Sequence, residues 1–186
     1  QKLLTAYAGS SLPDLSQVGN TWVSEMAAIG AISQLPNSAT DLLTDQFPAV
    51  LDTNRVNGRL VGVPWYVDTR LLFVRTDILG HAGYDAVPTT WGEWKAAMHA
   101  VKRIGGADKY AILLPINEFE QLLTLGLQGE ETLLREDDTR GNFSSPSFVG
   151  ALAFYKSLFD EGLAPVASST QISNVWTEFD RGWLAF

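Results

Sequence analysis

The sequence predicts an α/β fold, helices layered over a sheet, on three observations. Helical and extended patterns alternate along the 186 residues. An Asn57-Gly58 pair separates two strand-like runs, the arrangement that favours a tight hairpin. Thr90 and Ser145 stand where helix-opening caps belong. With 46% hydrophobic residues, the chain has apolar material for one sizeable core or two small ones.

In order, Lys2 to Ala8 reads as a helix tail closed by Gly9-Ser10-Ser11, and Pro13-Asp14-Leu15 starts a short run toward Gly19. From Thr21, Val23, Met26, Ala27 and Gly30 share one helical face, with Thr21 as cap and Glu25 in the first turn. Between Pro36 and Thr53 one short helix is expected around Asp41 to Phe47. Arg55-Val56 and the run Arg59 to Val63 form the hairpin, and Leu71 to Val74 reads as a second, buried strand. Thr90 and Glu93 form a capping box for a helix whose Trp94, Ala97, Met98 and Val101 share a face, stopped by Gly105-Gly106.

Tyr110 to Leu114 reads as a strand ended by Pro115, and Phe119 to Leu127 as a helix. Arg135 to Asn142 is a charged turn. Ser145-Pro146 then gives a cap with proline at the first helical position, and Phe148, Leu152, Tyr155 and Phe159 continue at helical spacing to Gly162. A last helix runs from Asn174 through Trp176 and Phe179.

Composition excludes several classes of function. No apolar run approaches the roughly 20 residues that span a bilayer. A net charge of −8 without a basic block argues against binding nucleic acid. There is no cysteine for a disulfide or thiolate site. His81 and His99 are far apart without a carboxylate cluster, so a zinc site is not expected and both read as ordinary surface or helix residues. No nucleophile elbow or phosphate-cradling glycine loop occurs, and no cofactor is expected.

The residue types point instead to a neutral polyol. A sugar ring presents apolar faces edged with hydroxyls, so its site needs flat aromatic platforms and a rim of donors and acceptors. Trp22, Trp65, Tyr66, Phe119 and Trp176 supply platforms; Asn20, Asp68, Arg70, Asn117, Glu118 and Asn174 supply the rim. Trp65 and Tyr66 follow a strand, so one of them is expected to face a given cleft and the other the core. Asp68 also suits a turn residue that caps local backbone. Trp22 equally suits a core cover, leaving Asn20 and Thr21 to face the ligand. Arg75, beside Asp77, reads as a structural ion-pair residue, and Trp91 and Trp94 as packing. Asn117, Glu118 and Phe119 follow a strand end, where open α/β folds hold ligands. Asp68 and Glu118 could alternatively form the carboxylate pair of a glycoside hydrolase.

Four motifs in order resemble the extracellular solute-binding proteins of sugar ABC importers, the group similar to maltose-binding protein. They are Pro13-Asp14 with Gly19-Asn20-Thr21-Trp22 and the tail Ala27 to Leu35; Asn57-Gly58-Arg59-Leu60-Val61-Gly62-Val63-Pro64; Leu72-Phe73-Val74-Arg75-Thr76-Asp77 with Thr90-Trp91-Gly92-Glu93; and Phe179-Asp180-Arg181-Gly182-Trp183-Leu184-Ala185-Phe186, with Phe where the family has Met. The resemblance implies a two-lobed, periplasmic-binding-protein-like (type II) fold, incomplete in this chain because members are about twice as long. Residues 1–65 would belong to the first lobe and 66–186 to the second, with the crossing near 64–68. It further implies a non-enzymatic, monomeric protein, exported to the periplasm or lipid-anchored at the outer face of the cell membrane. Such a protein closes on a mono- or oligosaccharide and delivers it to ABC permease subunits. At the crossing, where members carry a ligand carboxylate, it places Asp68.

Overall fold

The computed structural model describes residues 2–106, 109–137, 139–172, 174–182 and 184–186, the side chains of Thr40 and Leu42 excepted. Trp183 of the closing motif lies outside the described residues. The chain divides into two compact units, Gln1–Thr69 and Arg70–Phe186. Among the described residues no helix is long and apolar enough to cross a membrane.

In the first unit, α1 (Lys2–Ala8) ends as expected, with Gly9 and Ser11 donating back to the Thr5 and Ala6 carbonyls. Helix α2 (Asn20–Ala28) buries Val23 and Met26. Its N-cap is Gly19, so Thr21 sits inside the helix rather than capping it, and Glu25 falls beyond the first turn. Gly30, at φ +77, turns the chain so that Ala31 N–H reaches the Met26 carbonyl at 2.9 Å, a left-handed closure that glycine adopts without steric cost. The single helix expected around Asp41 to Phe47 is replaced by a 3-10 helix, Asn37–Leu43, and by α3 (Pro48–Asp52). Pro48 lacks an N–H and pre-sets φ, so it opens α3 and interrupts what precedes it.

The hairpin forms at the expected register, β1 (Arg55–Val56) antiparallel to β2 (Arg59–Leu60), with Val56 opposite Arg59. Asn57 (φ 50) and Gly58 (φ 74) are both left-handed, as a two-residue primed turn requires. The second strand is shorter than the expected run to Val63. Beyond it, Val61 N–H still reaches the Asn54 carbonyl at 3.0 Å.

The second unit packs helices around a core of Leu79, Met98, Leu158, Leu163 and their buried apolar neighbours, among them Ile112, Leu114 and Phe186. Helix α4 spans Thr76–His81 and α5 Trp91–Gly105, the latter opened by the complete Thr90–Glu93 capping box and ended at Gly106 (φ 79). Ala97, Met98 and Val101 are buried, with Trp94 packed on the core, as the spacing predicts. Helix α6 (Glu120–Leu127) packs on α7 (Pro146–Asp160), where Ser145 accepts a hydrogen bond from Phe148 N–H. Leu152 departs from the expected apolar face and is exposed. The charged turn contains a short hairpin, β3 (Leu134–Arg135) with β4 (Arg140–Gly141). Helix α8 is Val175–Asp180.

The expected strands Leu71 to Val74 and Tyr110 to Leu114 are not formed as ladders. Ala111 and Ile112 both donate to the Leu163 carbonyl, Ala185 and Phe186 both donate to the Ala111 carbonyl, and Arg75 N–H reaches the Ala185 carbonyl. Bonds that converge on shared carbonyls do not repeat at the alternate-residue interval of a ladder. Ala111, Ile112 and Leu114 are nonetheless buried, whereas Leu71, Leu72 and Phe73 are exposed, against the buried strand expected there. The Arg75–Asp77 pair is structural, as expected. The guanidinium donates to Asp77 Oδ1 and Oδ2 at 2.8 and 2.7 Å and reaches the Phe179 carbonyl at 2.7 Å, tying the start of α4 to the end of α8.

Candidate carbohydrate site

In the first unit, the segment from Leu15 to Gly19, the start of α2, the end of α3 and the run 61–68 enclose an open hollow of about 660 Å³. That volume is within the range of small-ligand sites. Val23, Ile32, Val50 and Val61 give it an apolar lining, and Asn20 and Asp68 add polar groups. Among its described lining residues Asp68 is the one charged group, and none is cationic.

Trp65 and Tyr66 both line this hollow, 82% and 63% exposed. The expectation that one of them is core is therefore corrected: residues 63–68 belong to no strand, so the two-residue alternation does not operate there. Among the described residues the Asp68 carboxylate has no hydrogen-bond or ion-pair partner, so the local-cap alternative is not realised; the Asn20 side chain is also unpartnered. Thr21 and Trp22 follow Asn20 in α2, both exposed, and are not part of the lining.

The remaining sequence candidates lie in the second unit. Arg70 is 3.7 Å from Glu120 across an exposed pair, a contact of small energetic weight. Asn117 donates to Ser169 Oγ at 3.0 Å and accepts from Ser169 N–H at 2.7 Å, which joins two loops. Glu118 accepts from Gln121 at 3.1 Å. It also lies near the Tyr155 phenol, whose pKa is raised chiefly by burial and further by that carboxylate. Phe119, the N-cap of α6, is exposed. Trp176 meets Phe73 edge-on, with ring centroids 5.3 Å apart, and both rings remain exposed. Asn174 spends its side-chain oxygen capping α8, accepting from Thr177 N–H at 3.2 Å. Trp91, expected to pack, stacks on Phe154 at 4.9 Å and donates to Gln128.

Asn54, Thr53 and Gln17 line the hollow and were not legible as site residues. Asn54 had one available signal. The Asn57-Gly58 turn pairs Arg55 with Leu60, which places Asn54 beside Val61 and the following Gly62. His99 Nε2 lies within hydrogen-bond distance of Glu161 Oε2, 2.7 Å, and among the described residues no three potential metal ligands cluster.

The profile of the family described as "Bacterial extracellular solute-binding protein" matches residues 1–185. The sugar-binding protein MalE from Xanthomonas citri is 50% identical over the whole chain, superposes with a TM-score of 0.84, and is covered over 48% of its own length. The GacH receptor of Streptomyces glaucescens, solved unliganded and with acarbose, is 26% identical over 99% of the chain and 47% of its own, with a TM-score of 0.82. The diacetylchitobiose binding protein DasA of Streptomyces coelicolor is 26% identical over 84% of the chain and 37% of its own. The chain thus spans about half the length, or less, of these relatives.

Proposed function

Since the chain belongs to the bacterial extracellular solute-binding protein family and carries about half of a type II periplasmic-binding-protein fold, we propose that it captures a neutral mono- or oligosaccharide for an ABC importer. The observation that carries this reading is the hollow in which Trp65, Tyr66, Asp68 and Asn20 meet. Two flat faces suit sugar rings, and unpartnered oxygens suit their hydroxyls. A single carboxylate with no cation in the described lining favours an uncharged ligand over a sugar acid or phosphate.

In this reading residues 1–65 belong to one lobe and 66–186 to the other, with the crossing near 64–68. Thr21 and Trp22 extend the first-lobe site, and Arg70, Asn117, Glu118, Phe119 and Trp176 are the second lobe's contribution. The protein works outside the cytoplasm, periplasmic or lipid-anchored, as a monomer that hands its sugar to permease subunits. It performs no chemistry: Asp68 and Glu118 serve binding rather than hydrolysis.

The test is a titration of maltose, acarbose and N,N′-diacetylchitobiose into the full-length protein that carries these residues, followed by ¹⁵N-resolved NMR and by chromatography of the sugar; the 186 residues alone, about half the length of their relatives, are expected to bind poorly. Shifts at Asn20 and at 65–68 with the sugar recovered intact are expected. Unshifted spectra with all three would overturn capture, and shortened sugars would favour the hydrolase.

A further inference from the structure

We propose that Asn54 presents a fixed hydrogen-bond acceptor to a sugar hydroxyl from the floor of the hollow, and that Gly62 determines specificity by leaving this acceptor uncovered; the proposal rests on the hollow being the carbohydrate site. Asn54 is 9% exposed and lines the hollow together with Gly62.

The orientation of its amide follows from its neighbours. Nδ2 donates to the Val50 carbonyl and to Thr53 Oγ1, each at 3.2 Å. A carbonyl can only accept, and the Thr53 hydroxyl proton is already committed to that same Val50 carbonyl at 2.7 Å. The nitrogen must therefore face these two groups, which turns Oδ1 the other way, toward Gly62. Among the described residues Oδ1 receives no hydrogen bond. Oδ1 is not among the fully enclosed unpartnered atoms, so it is open to the hollow and can accept from a donor that enters it. A hydroxyl is a fitting one, because its single proton can be aimed at a fixed oxygen.

Gly62 explains why the oxygen stays uncovered. A Cβ at that position would stand 2.6 Å from Oδ1 and 3.5 Å from Cγ of Asn54. Asn54 cannot swing aside without breaking both Nδ2 bonds. Any side chain at 62 therefore covers the acceptor or displaces it. Backbone conformation does not require glycine here, since Gly62 is not among the positive-φ glycines.

The experiment compares wild type, Gly62→Ala and Asn54→Leu, each in the full-length protein, by NMR titration with maltose, acarbose and N,N′-diacetylchitobiose, following the Asn54 side-chain amide resonance and recording thermal melting for each protein. For each sugar that wild type binds, Gly62→Ala and Asn54→Leu are expected to weaken binding at least about tenfold, the usual consequence of losing a buried polar contact. The Asn54 amide resonance should shift on binding in wild type and stay fixed in Gly62→Ala. Monodeoxy analogues of the bound sugar supply a readout that a structural role would not move: one deoxy position should weaken wild-type binding and leave Asn54→Leu indifferent. Equal affinities in all three proteins, or an unmoved Asn54 resonance in a wild type that binds, overturn the proposal and leave capture standing. A wild type that binds none of the sugars overturns both. If Asn54→Leu melts early, Gly62→Ala decides alone, because it retains the Asn54 side chain and changes only what stands over its oxygen.

Discussion

Asp68 and Asp77 are nine residues apart, and the difference between them is a matter of partners. The Asp68 carboxylate borders the hollow with no protein donor among the described residues, so its hydrogen-bonding capacity is open to a ligand. In the full-length protein Asp68→Ala is expected to weaken carbohydrate binding by at least about tenfold while the melting temperature holds; calorimetry showing unchanged affinity would remove Asp68 from the site. Asp77 is already engaged by Arg75, which donates to it through two nitrogens and lowers its pKa to about 2. Because the folded value lies below that of the unfolded chain, the pair's contribution is complete above the ordinary carboxylate range and is lost as pH falls through about 2. The urea midpoint of Asp77→Asn should therefore lie below wild type at pH 6, and the gap should close near pH 2; a gap that stays open at pH 2 contradicts the assignment. Sequence reasoning found the Arg75–Asp77 pair because the partners are adjacent. It did not single out Asn54, because the turn register places that residue beside Val61 and Gly62 but says nothing of the Val50 and Thr53 contacts that orient its amide.

Elements bounded by local chemistry were legible, and those that depend on distant pairing were not. The Thr90–Glu93 capping box, the Ser145-Pro146 start and the Asn57-Gly58 turn each act within four residues, and each formed as read. Tyr110 to Leu114 needed Leu163 and Ala185 as neighbours, and its apolar run carried no information about their register. The packing of α6 on α7 offers a sharp test of the tertiary term. A Cβ at Gly126 would lie 2.3 Å from two carbons of the buried Phe148 ring, whereas one at Gly150 in α7 meets nothing within 4 Å. Alanine improves helix propensity by about 1 kcal/mol at either site. At 126 the overlap should cost about 1–3 kcal/mol and prevail. Gly126→Ala is thus expected to destabilise and Gly150→Ala to stabilise by about 0.5–1 kcal/mol; chemical denaturation that moves both in one direction would refute this account of the interface.

On the scale of the whole molecule, aromatic residues divide between those that hold a unit together and those left to water. Trp94, Phe154 and Phe186 are packed into the second unit's core, while Trp65 and Tyr66 stand exposed on the irregular run that ends the first unit. A ligand that covers this exposed pair of rings removes their apolar area from water and gains from doing so. An irregular, exposed backbone also accepts a protease readily, so chymotrypsin should cut after Trp65 and Tyr66 early, with Phe143, exposed on the turn before α7, as a second site. A sugar seated against the two rings should slow cleavage at 65 and 66 in proportion to its occupancy and leave cleavage at 143 unchanged. Equal slowing at all three bonds would mean a general effect of the sugar on protease or stability. No slowing at 65 and 66, at sugar concentrations where binding is seen by NMR, would place the carbohydrate away from these rings.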